Sequence, residues 1–432
     1  MSQPWMRQAS RGVSVVFATL TFASLTSIAA AQAEDDADLT ALMMGGTGMP
    51  VARADWMDSL LADYIDPATG TSYTPVGVDY PAGLPVDHTV QLGLTDLHAA
   101  MDQLQAADPG QPYLVAGYSL SALIAVELKR ELAAAAQAGQ PVPDVTVALF
   151  GSGNRPDGGI YERLDGLFVP GLQVDANGAE PTDLGIPTLD VANQYDGLAD
   201  TPQFPVNLVS DLNAVLGVIY RHTSYGDGAI PGWTDPSTPL AGPYADQYVL
   251  GSTQIVEQVD GDTTFYFIPT TELPLLEPLR QLGVPEPVLN IVQPALQVIV
   301  EAGYDRSVPF GDPTPFQLIP TLDPVTFSAE FAKAVVQGAN NAFELFGVPM
   351  PGADWLESML TELQTWSAHE IGVPYYDAAT WFNDNFNPFT AVLDLEGPLG
   401  LDIQNLLDLT GIQQAIDPVL ELIGTLGGLV TG

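Results

Sequence analysis

The sequence contains no cysteine among its 432 residues. Disulfide bonds, thiolate metal sites and a thiol nucleophile are therefore excluded. Histidine is also scarce, and the four residues His88, His98, His222 and His369 leave little material for a histidine metal cluster. The composition therefore implies no metal and no organic cofactor.

Positive charge is equally sparse. The chain has 11 Lys and Arg against 53 Asp and Glu, which gives a formal net charge of -42. Such a charge repels both nucleic acid and the anionic surface of a bilayer, so we exclude nucleic acid as a partner. Because 46% of the residues are hydrophobic, the chain is long and apolar enough for one large core. This acidity is typical of an extracytoplasmic or salt-tolerant protein.

Only the N-terminus carries an apolar run long enough to cross a membrane. Arg7 and Arg11 precede a charge-free apolar stretch over residues 12–31, and small residues at Ala31 and Ala33 offer a cleavage site. This pattern predicts a signal peptide over residues 1–33, with a secreted or cell-envelope location for the protein. A retained N-terminal anchor, which would associate the protein with the membrane or envelope, is the alternative.

Residues 34–270 alternate between strand and helix patterns. Strands are predicted at residues 39–45, 74–80, 113–118, 145–150 and 187–195, and helices at residues 90–106, 120–136 and 204–220. Strands separated by helices indicate a mostly parallel sheet with helices on both faces. We therefore expect an α/β-hydrolase fold for this segment, which would be the catalytic domain.

The chain changes character near residue 270. Asp260-Gly261 separates two apolar runs and predicts a hairpin. Residues 271–432 then read as short amphipathic helices broken by prolines, which predicts a helical lid or C-terminal extension. The apolar tail over residues 399–432 is expected either to pack on the core or to contact lipid.

One serine carries the functional hypothesis. Ser119 lies in Gly117-Tyr118-Ser119-Leu120-Ser121, directly after a predicted strand and directly before a predicted helix. A serine with small residues two positions to either side, at a strand-to-helix turn, is typical of the nucleophile elbow of α/β-hydrolases. An ordinary turn with a capping serine is the structural alternative.

A serine nucleophile needs a histidine and an acid, which follow it in the order acid, then histidine. His88 and His98 precede Ser119, so the candidates are His222 and His369, and we favour His222 because it ends the last clear helix of the core. Asp196 begins the loop after the strand 187–195 and is the predicted acid. Asp200 in the same loop is the alternative acid. A purely structural alternative is that both aspartates cap the turn and the helix that follows.

Acyl transfer also needs donors for the developing oxyanion. The backbone N–H of Leu120, directly after the nucleophile, is one candidate. The glycine-rich loop Gly45-Gly46-Thr47-Gly48 should supply the second, and we nominate Thr47. Phosphate binding by this loop is disfavoured, because no G-K-[ST] ending follows it.

These motifs together resemble the PE-PPE domain of mycobacteria. The resemblance runs from about Leu39 to Tyr304 and is carried by six segments in order, at residues 45–50, 117–122, 154–159, 195–202, 212–214 and 222–225. It implies a serine α/β-hydrolase related to cutinases, acting on lipid esters, in a family that includes envelope acyltransferases that decorate trehalose. It also implies that Ser119, an aspartate of the 196–200 loop and His222 form the triad.

The chain departs from this family in two places. Leu120-Ser121 stands where the family often has Gln-Gly, and the N-terminus resembles neither the PE nor the PPE helical module, which puts display through such a partner in doubt. The resulting hypothesis is an exported serine hydrolase that cleaves lipid or fatty-acyl esters through an acyl-enzyme on Ser119. Acyl transfer to trehalose or another glycolipid hydroxyl is the alternative, and a non-catalytic lipid-binding envelope protein is the second.

Overall fold

A computed structural model describes residues 39–169, 172–226, 247–251 and 253–386. The predicted signal peptide at residues 1–33 and the apolar tail at residues 399–432 lie outside the described residues. None of the helices in these ranges combines the length and the apolar character that a membrane span requires.

Seven strands form one sheet, in the spatial order β2-β1-β3-β4-β7-β9-β8. All neighbouring pairs are parallel except β8 and β9, which pair antiparallel as the hairpin at Asp260-Gly261 predicts. The strands of this sheet are β1 (Leu39–Met44), β2 (Tyr73–Gly77), β3 (Tyr113–Tyr118), β4 (Val145–Phe150), β7 (Thr188–Asn193), β8 (Val256–Asp260) and β9 (Thr263–Ile268). Two short strands, β5 (Phe168–Val169) and β6 (Val174–Asp175), pair separately.

Helices connect and flank these strands. In chain order they are α1 (Ala54–Leu60), α2 (Asp66–Thr69), α3 (Val86–Ala107), α4 (Leu120–Gln137), α5 (Ile160–Arg163), α6 (Leu208–Tyr220), α7 (Glu277–Gln281), α8 (Glu286–Glu301), α9 (Pro324–Glu344), α10 (Ala353–Ser367) and α11 (Val373–Phe386). The predicted α/β-hydrolase fold is confirmed, and α4 ends one residue later than its alanine-rich pattern suggests.

The sheet has a hydrophobic core on each face, as a parallel sheet requires. Leu42 and Met44 of β1 belong to the core that α3 and α4 cover. The alternate residues Ala41 and Met43 belong to the opposite core, which includes Trp56 of α1. Alternation along a strand therefore divides the apolar side chains between two layers of helices.

Strand order determines where a ligand can bind. β2 and β3 lie on opposite sides of β1, so the chain reverses direction along the sheet between β1 and β3. In open parallel sheets, the crevice beyond the carboxyl ends of two such strands is the usual binding position. The Gly45 loop follows β1 and Ser119 follows β3, which brings both predicted motifs to this crevice.

Between residues 271 and 386 the described part of the chain is mostly helical. α8 packs against α9 and α6, and α9 packs against α10. Leu273, Leu289 and Tyr304 share a buried cluster with Tyr195, which lies two residues after the end of β7. The predicted division of the chain at residue 270, and a lid role for the helices that follow, remain predictions.

Candidate active site

Ser119 occupies a strained turn between β3 and α4. Its backbone has φ 56° and ψ -116°, a conformation that costs a non-glycine residue energy and recurs at functional sites. The turn is tight enough that a Cβ on Gly117 would collide with the carbonyl oxygen of Ser121. The N–H of Ser119 donates to the carbonyl of Phe150 at 2.9 Å. Leu120 begins α4, so its N–H has no carbonyl one helical turn earlier to bind.

The side chain of Ser121 stabilises the nucleophile turn by hydrogen bonds. Its hydroxyl is fully buried, accepts from the N–H of Tyr118 at 2.8 Å and donates to the carbonyl of Met44 at 2.9 Å. Ser121 occupies the position at which the family that this sequence resembles often has glycine. Its side chain therefore links the ends of β1 and β3, a contact that glycine would not make.

His222 reaches Ser119 from the end of α6. It begins the 3-10 turn His222–Ser224, and its Nε2 lies 2.7 Å from Oγ of Ser119. The ring of Tyr118 stacks on the imidazole, with 5.2 Å between ring centroids, and the Tyr118 hydroxyl donates to the His222 carbonyl at 2.7 Å. These two contacts with Tyr118 therefore hold the imidazole next to the serine hydroxyl.

The other three histidines lie elsewhere. His88 and His98 are on α3, where His98 pairs with Glu131 on the surface at 3.0 Å. His369 is exposed in the turn between α10 and α11. Among the described residues, His222 alone of the histidines is hydrogen-bonded to Ser119.

Asp196 completes the chain of contacts. Both of its carboxylate oxygens lie 2.9 Å from Nδ1 of His222, and the carboxylate is fully buried. The N–H groups of Leu198 and Ala199 donate to Oδ1 at 2.9 and 3.4 Å. The hydroxyl of Tyr225 donates to Oδ2 at 2.8 Å. Burial of this charge is therefore compensated by donors on both oxygens.

Asp200, the alternative acid, is bound to different groups. Arg306 donates to its two oxygens at 2.5 and 3.0 Å, and the N–H of Tyr195 donates to Oδ2 at 2.8 Å. Tyr195 has a positive φ of 66°, so Asp200 stabilises the unusual backbone that leads into Asp196. Asp200 thus shapes the loop, while Asp196 contacts the histidine.

The loop after β1 lies against the nucleophile turn. A Cβ built on Gly46 would lie 2.8 Å from Cε1 of Tyr118 and 3.1 Å from Cβ of Ser119, so glycine allows the close approach of this loop to the turn. Thr47 follows and is exposed. The N–H of Gly48 donates to the carbonyl of Ala82, whereas no acceptor for the Thr47 N–H is found within the described residues. No group of acidic residues and histidines in those residues is arranged to hold a metal ion.

Comparison with known proteins identifies the family of the chain. The sequence model of the PE-PPE domain matches residues 67–305, more than half of the chain. The chain belongs to the PE-PPE domain family. Esterase PE16 of Mycobacterium tuberculosis is 36% identical over 306 residues, which are 68% of this chain and 54% of that protein. The PE family protein PE3 of the same species is 34% identical over 72% of this chain and 64% of its own length. The chain therefore matches between about half and two thirds of these relatives.

A third relative is covered more completely. Diacyltrehalose acyltransferase Chp2 of Mycobacterium tuberculosis is 28% identical over 338 residues, which are 72% of this chain and 84% of that protein. Among solved structures, a cutinase-like protein from Cryptococcus sp. aligns with 38% of this chain and 80% of its own, at 24% identity and a TM-score of 0.28.

One motif of the PE-PPE domain carries no catalytic residue but contacts the loop 196–200, here called the acid loop, which holds Asp196. It covers residues 154–159, and its Gly158 carbonyl accepts from the N–H of Thr201 at 2.7 Å. Arg155 is almost fully buried, pairs with Asp190 of β7 and lies over the ring of Phe265 at 4.9 Å. Ile160, just after the motif, donates its N–H to the Leu198 carbonyl at 2.9 Å.

Two residues of this PE-PPE domain site were not identified from the sequence. Gly151, with φ 59°, lies so close to the imidazole that an added Cβ would be 2.8 Å from Cε1 of His222. A glycine directly after a predicted buried strand was the available signal. Tyr225 donates to Asp196, and its place three residues after the histidine was the only local hint.

Proposed function

We propose that this PE-PPE domain protein is an exported serine hydrolase that cleaves lipid or fatty-acyl esters. The proposal is carried by the continuous contact from Ser119 Oγ through His222 to the buried carboxylate of Asp196. A serine hydroxyl becomes nucleophilic when a histidine accepts its proton and a carboxylate stabilises the resulting imidazolium. Similarity to Esterase PE16 supports the same reaction class.

In the proposed mechanism, Ser119 Oγ attacks the ester carbonyl while its proton passes to Nε2 of His222. The tetrahedral oxyanion accepts hydrogen bonds from the N–H groups of Leu120 and Thr47. Collapse of this intermediate breaks the ester bond, and His222 returns the proton to the departing alcohol. Water then attacks the acyl-enzyme, with His222 as the base, and releases the carboxylic acid and free Ser119.

Acyl transfer to a sugar hydroxyl, such as that of trehalose or a glycolipid, is the second candidate. It differs only in the acceptor that attacks the acyl-enzyme. The observation in its favour is the similarity to an enzyme named as a diacyltrehalose acyltransferase, of which this chain covers 84%. Which acceptor prevails depends on how well the acylated site excludes water. The secreted or envelope location belongs to both candidates.

The first experiment tests the nucleophile. The mature protein is incubated with p-nitrophenyl esters of graded chain length and with a fluorophosphonate probe. We expect turnover and labelling by the wild type, and neither by Ser119→Ala. Ser328→Ala, which removes an exposed hydroxyl of α9, is the matched control and should behave as the wild type. Labelling that survives Ser119→Ala would remove Ser119 from the mechanism, and no labelling of either protein would favour the lipid-binding alternative.

A second experiment separates the two reactions. The enzyme is supplied with an acyl donor in the presence of trehalose or a glycolipid, and the products are resolved by mass spectrometry. Free fatty acid as the only product supports hydrolysis. An acylated sugar that requires Ser119 supports transfer.

A further inference from the structure

A tyrosine is hydrogen-bonded to the same Asp196 carboxylate that contacts His222. The Tyr225 hydroxyl donates to Asp196 Oδ2 at 2.8 Å and accepts from the N–H of Asn193 at 2.8 Å. Tyr225 is fully buried, and its ring packs edge-on to the imidazole with 6.1 Å between centroids. The carboxylate therefore contacts both the imidazole of His222 and a buried phenol.

The direction of this hydrogen bond follows from its partners. A phenol has one proton, and the N–H of Asn193 can only donate to the phenol oxygen. The single Tyr225 proton is therefore left for the carboxylate. Burial, and then the charge of Asp196, raise the pKa of Tyr225 well above its usual value, so the hydroxyl keeps this proton throughout the working range of a serine hydrolase.

The backbone around Tyr225 is fixed as well. The indole Nε1–H of Trp56 donates to the Tyr225 carbonyl at 2.7 Å, and the Tyr118 hydroxyl donates to the His222 carbonyl at 2.7 Å. Both ends of the 222–225 turn are thus held by aromatic side chains from other elements. The imidazole and the phenol consequently approach the Asp196 carboxylate as one rigid unit.

We propose that Tyr225 is a positioning residue for the reaction, which fixes the Asp196 carboxylate in the orientation that faces Nδ1 of His222. This inference rests on the proposed function. Backbone donors from Leu198 and Ala199 bind Oδ1, whereas Tyr225 binds Oδ2, so the two sets of donors together prevent rotation about the Cβ–Cγ bond. A carboxylate locked in this way stabilises the imidazolium without reorganisation during proton transfer.

Tyr225→Phe removes the donor and retains the ring. Because a hydrogen bond to a charged group is at stake, we expect kcat to fall about 10- to 100-fold, with little change in KM. Without the Tyr225 donor the carboxylate can turn away from Nδ1 of His222, so it stabilises the imidazolium less well. The acidic limb of the profile of kcat/KM against pH should therefore move to lower pH.

The matched control is Tyr113→Phe, which removes a buried hydroxyl at the opposite end of β3 from Ser119. It should leave the pH profile unchanged even where it alters the melting temperature.

A double-mutant comparison separates positioning from mere packing. If Tyr225 acts through Asp196, Tyr225→Phe should have no further effect on kcat in an Asp196→Ala background.

The inference is overturned if Tyr225→Phe keeps the wild-type pH profile, or if it costs the same factor in the Asp196→Ala background. A substrate-free readout keeps this test independent of the proposed function. The low-field proton resonance of His222 Nδ1–H, assigned by its absence in His222→Ala, is followed against pH. Tyr225→Phe should lower the midpoint of its titration, and an unmoved or raised midpoint rejects the positioning role. A wild type that neither turns over esters nor reacts with the fluorophosphonate rejects only the proposed function.

Discussion

Gly151 lies directly against the imidazole of His222. A Cβ at position 151 would be 2.8 Å from Cε1 and 2.9 Å from Nδ1 of the ring, and 3.0 Å from Oδ2 of Asp196. Glycine here therefore sets how closely the imidazole and its carboxylate can approach the end of β4.

Gly151→Ala should accordingly displace His222 from Ser119. A shift of about 1 Å in a reacting group is enough to cost about 100-fold in rate, and we expect a loss of at least that size in kcat/KM for ester hydrolysis. The measurement is steady-state turnover of a p-nitrophenyl ester at equal concentrations of folded protein.

Gly139→Ala is the control that separates displacement of His222 from the strain of a side chain at a positive φ. Gly139 also has a positive φ, of 70°, but a Cβ there would meet nothing within 4 Å. Both variants should lose about 1 kcal/mol of stability from the left-handed backbone. Only Gly151→Ala should lose activity, and equal activity of the two variants would contradict the geometric argument.

The two aspartates of the acid loop should respond differently to removal of their charge. Asp196→Asn should lower kcat by a factor on the order of 10⁴, because the amide favours the wrong tautomer of His222. Asp200→Asn should instead mainly lower the free energy of unfolding, by about 2 kcal/mol, since the largely buried Arg306 loses one of its two carboxylate partners among the described residues and retains only Glu301.

Chemical denaturation and single-turnover kinetics on the two variants check this difference. Asp305→Asn is a suitable control, because Asp305 is an acid next to Arg306 in sequence that binds Ser307 and Thr321 rather than the acid loop. A larger loss of kcat in Asp200→Asn than in Asp196→Asn would reverse the assignment of the acid.

Local sequence patterns predicted the fold well because the relevant signals are local. The all-apolar run of β3, the small residues at Gly117 and Ser121, and the alanine-rich α4 each carry their own structure in a few neighbouring residues. The strand predicted at residues 74–80 lies instead at Tyr73–Gly77, since the end of a strand depends on its partner rather than on its own residues.

The choice between Asp196 and Asp200 could not be made from the sequence, because it depends on a distant cation. Arg306 lies 106 residues beyond Asp200, and no periodicity links the two. Gly151 and Tyr225 escaped notice for the same reason: each acts through a side chain that the fold alone brings near. Contacts across the end of the sheet are a property of topology, which short motifs do not encode.

Ser121 should contribute to stability through its two buried hydrogen bonds. Ser121→Ala leaves the Tyr118 N–H and the Met44 carbonyl without this partner, at a cost of about 1–3 kcal/mol. Chemical denaturation measures the loss, and Ser328→Ala, which removes an exposed hydroxyl, should cost much less. Equal losses in the two variants would show that the link between β1 and β3 does not stabilise the fold.

Glu162 of α5 should make the stability of the protein depend on pH. Burial, assisted by the nearby charges of Asp165 and Asp157 and opposed by that of Arg163, raises its pKa from 4.5 to about 7. Between these two values the unfolded chain has released the proton of Glu162 while the folded protein retains it. Because the unfolded state then binds fewer protons, the free energy of unfolding falls as the pH rises from 4.5 to 7.

Glu162→Gln removes this proton and should flatten that part of the curve. The free energy of unfolding of the variant, relative to the wild type, should therefore increase from pH 4.5 to pH 7 and level off above it. Urea denaturation at closely spaced pH values measures the difference. Glu370→Gln, at an exposed position after α10, should run parallel to the wild type. A Glu162→Gln curve that also runs parallel to the wild type would contradict this prediction. It would mean that Glu162 ionises in the folded protein as readily as in the unfolded chain.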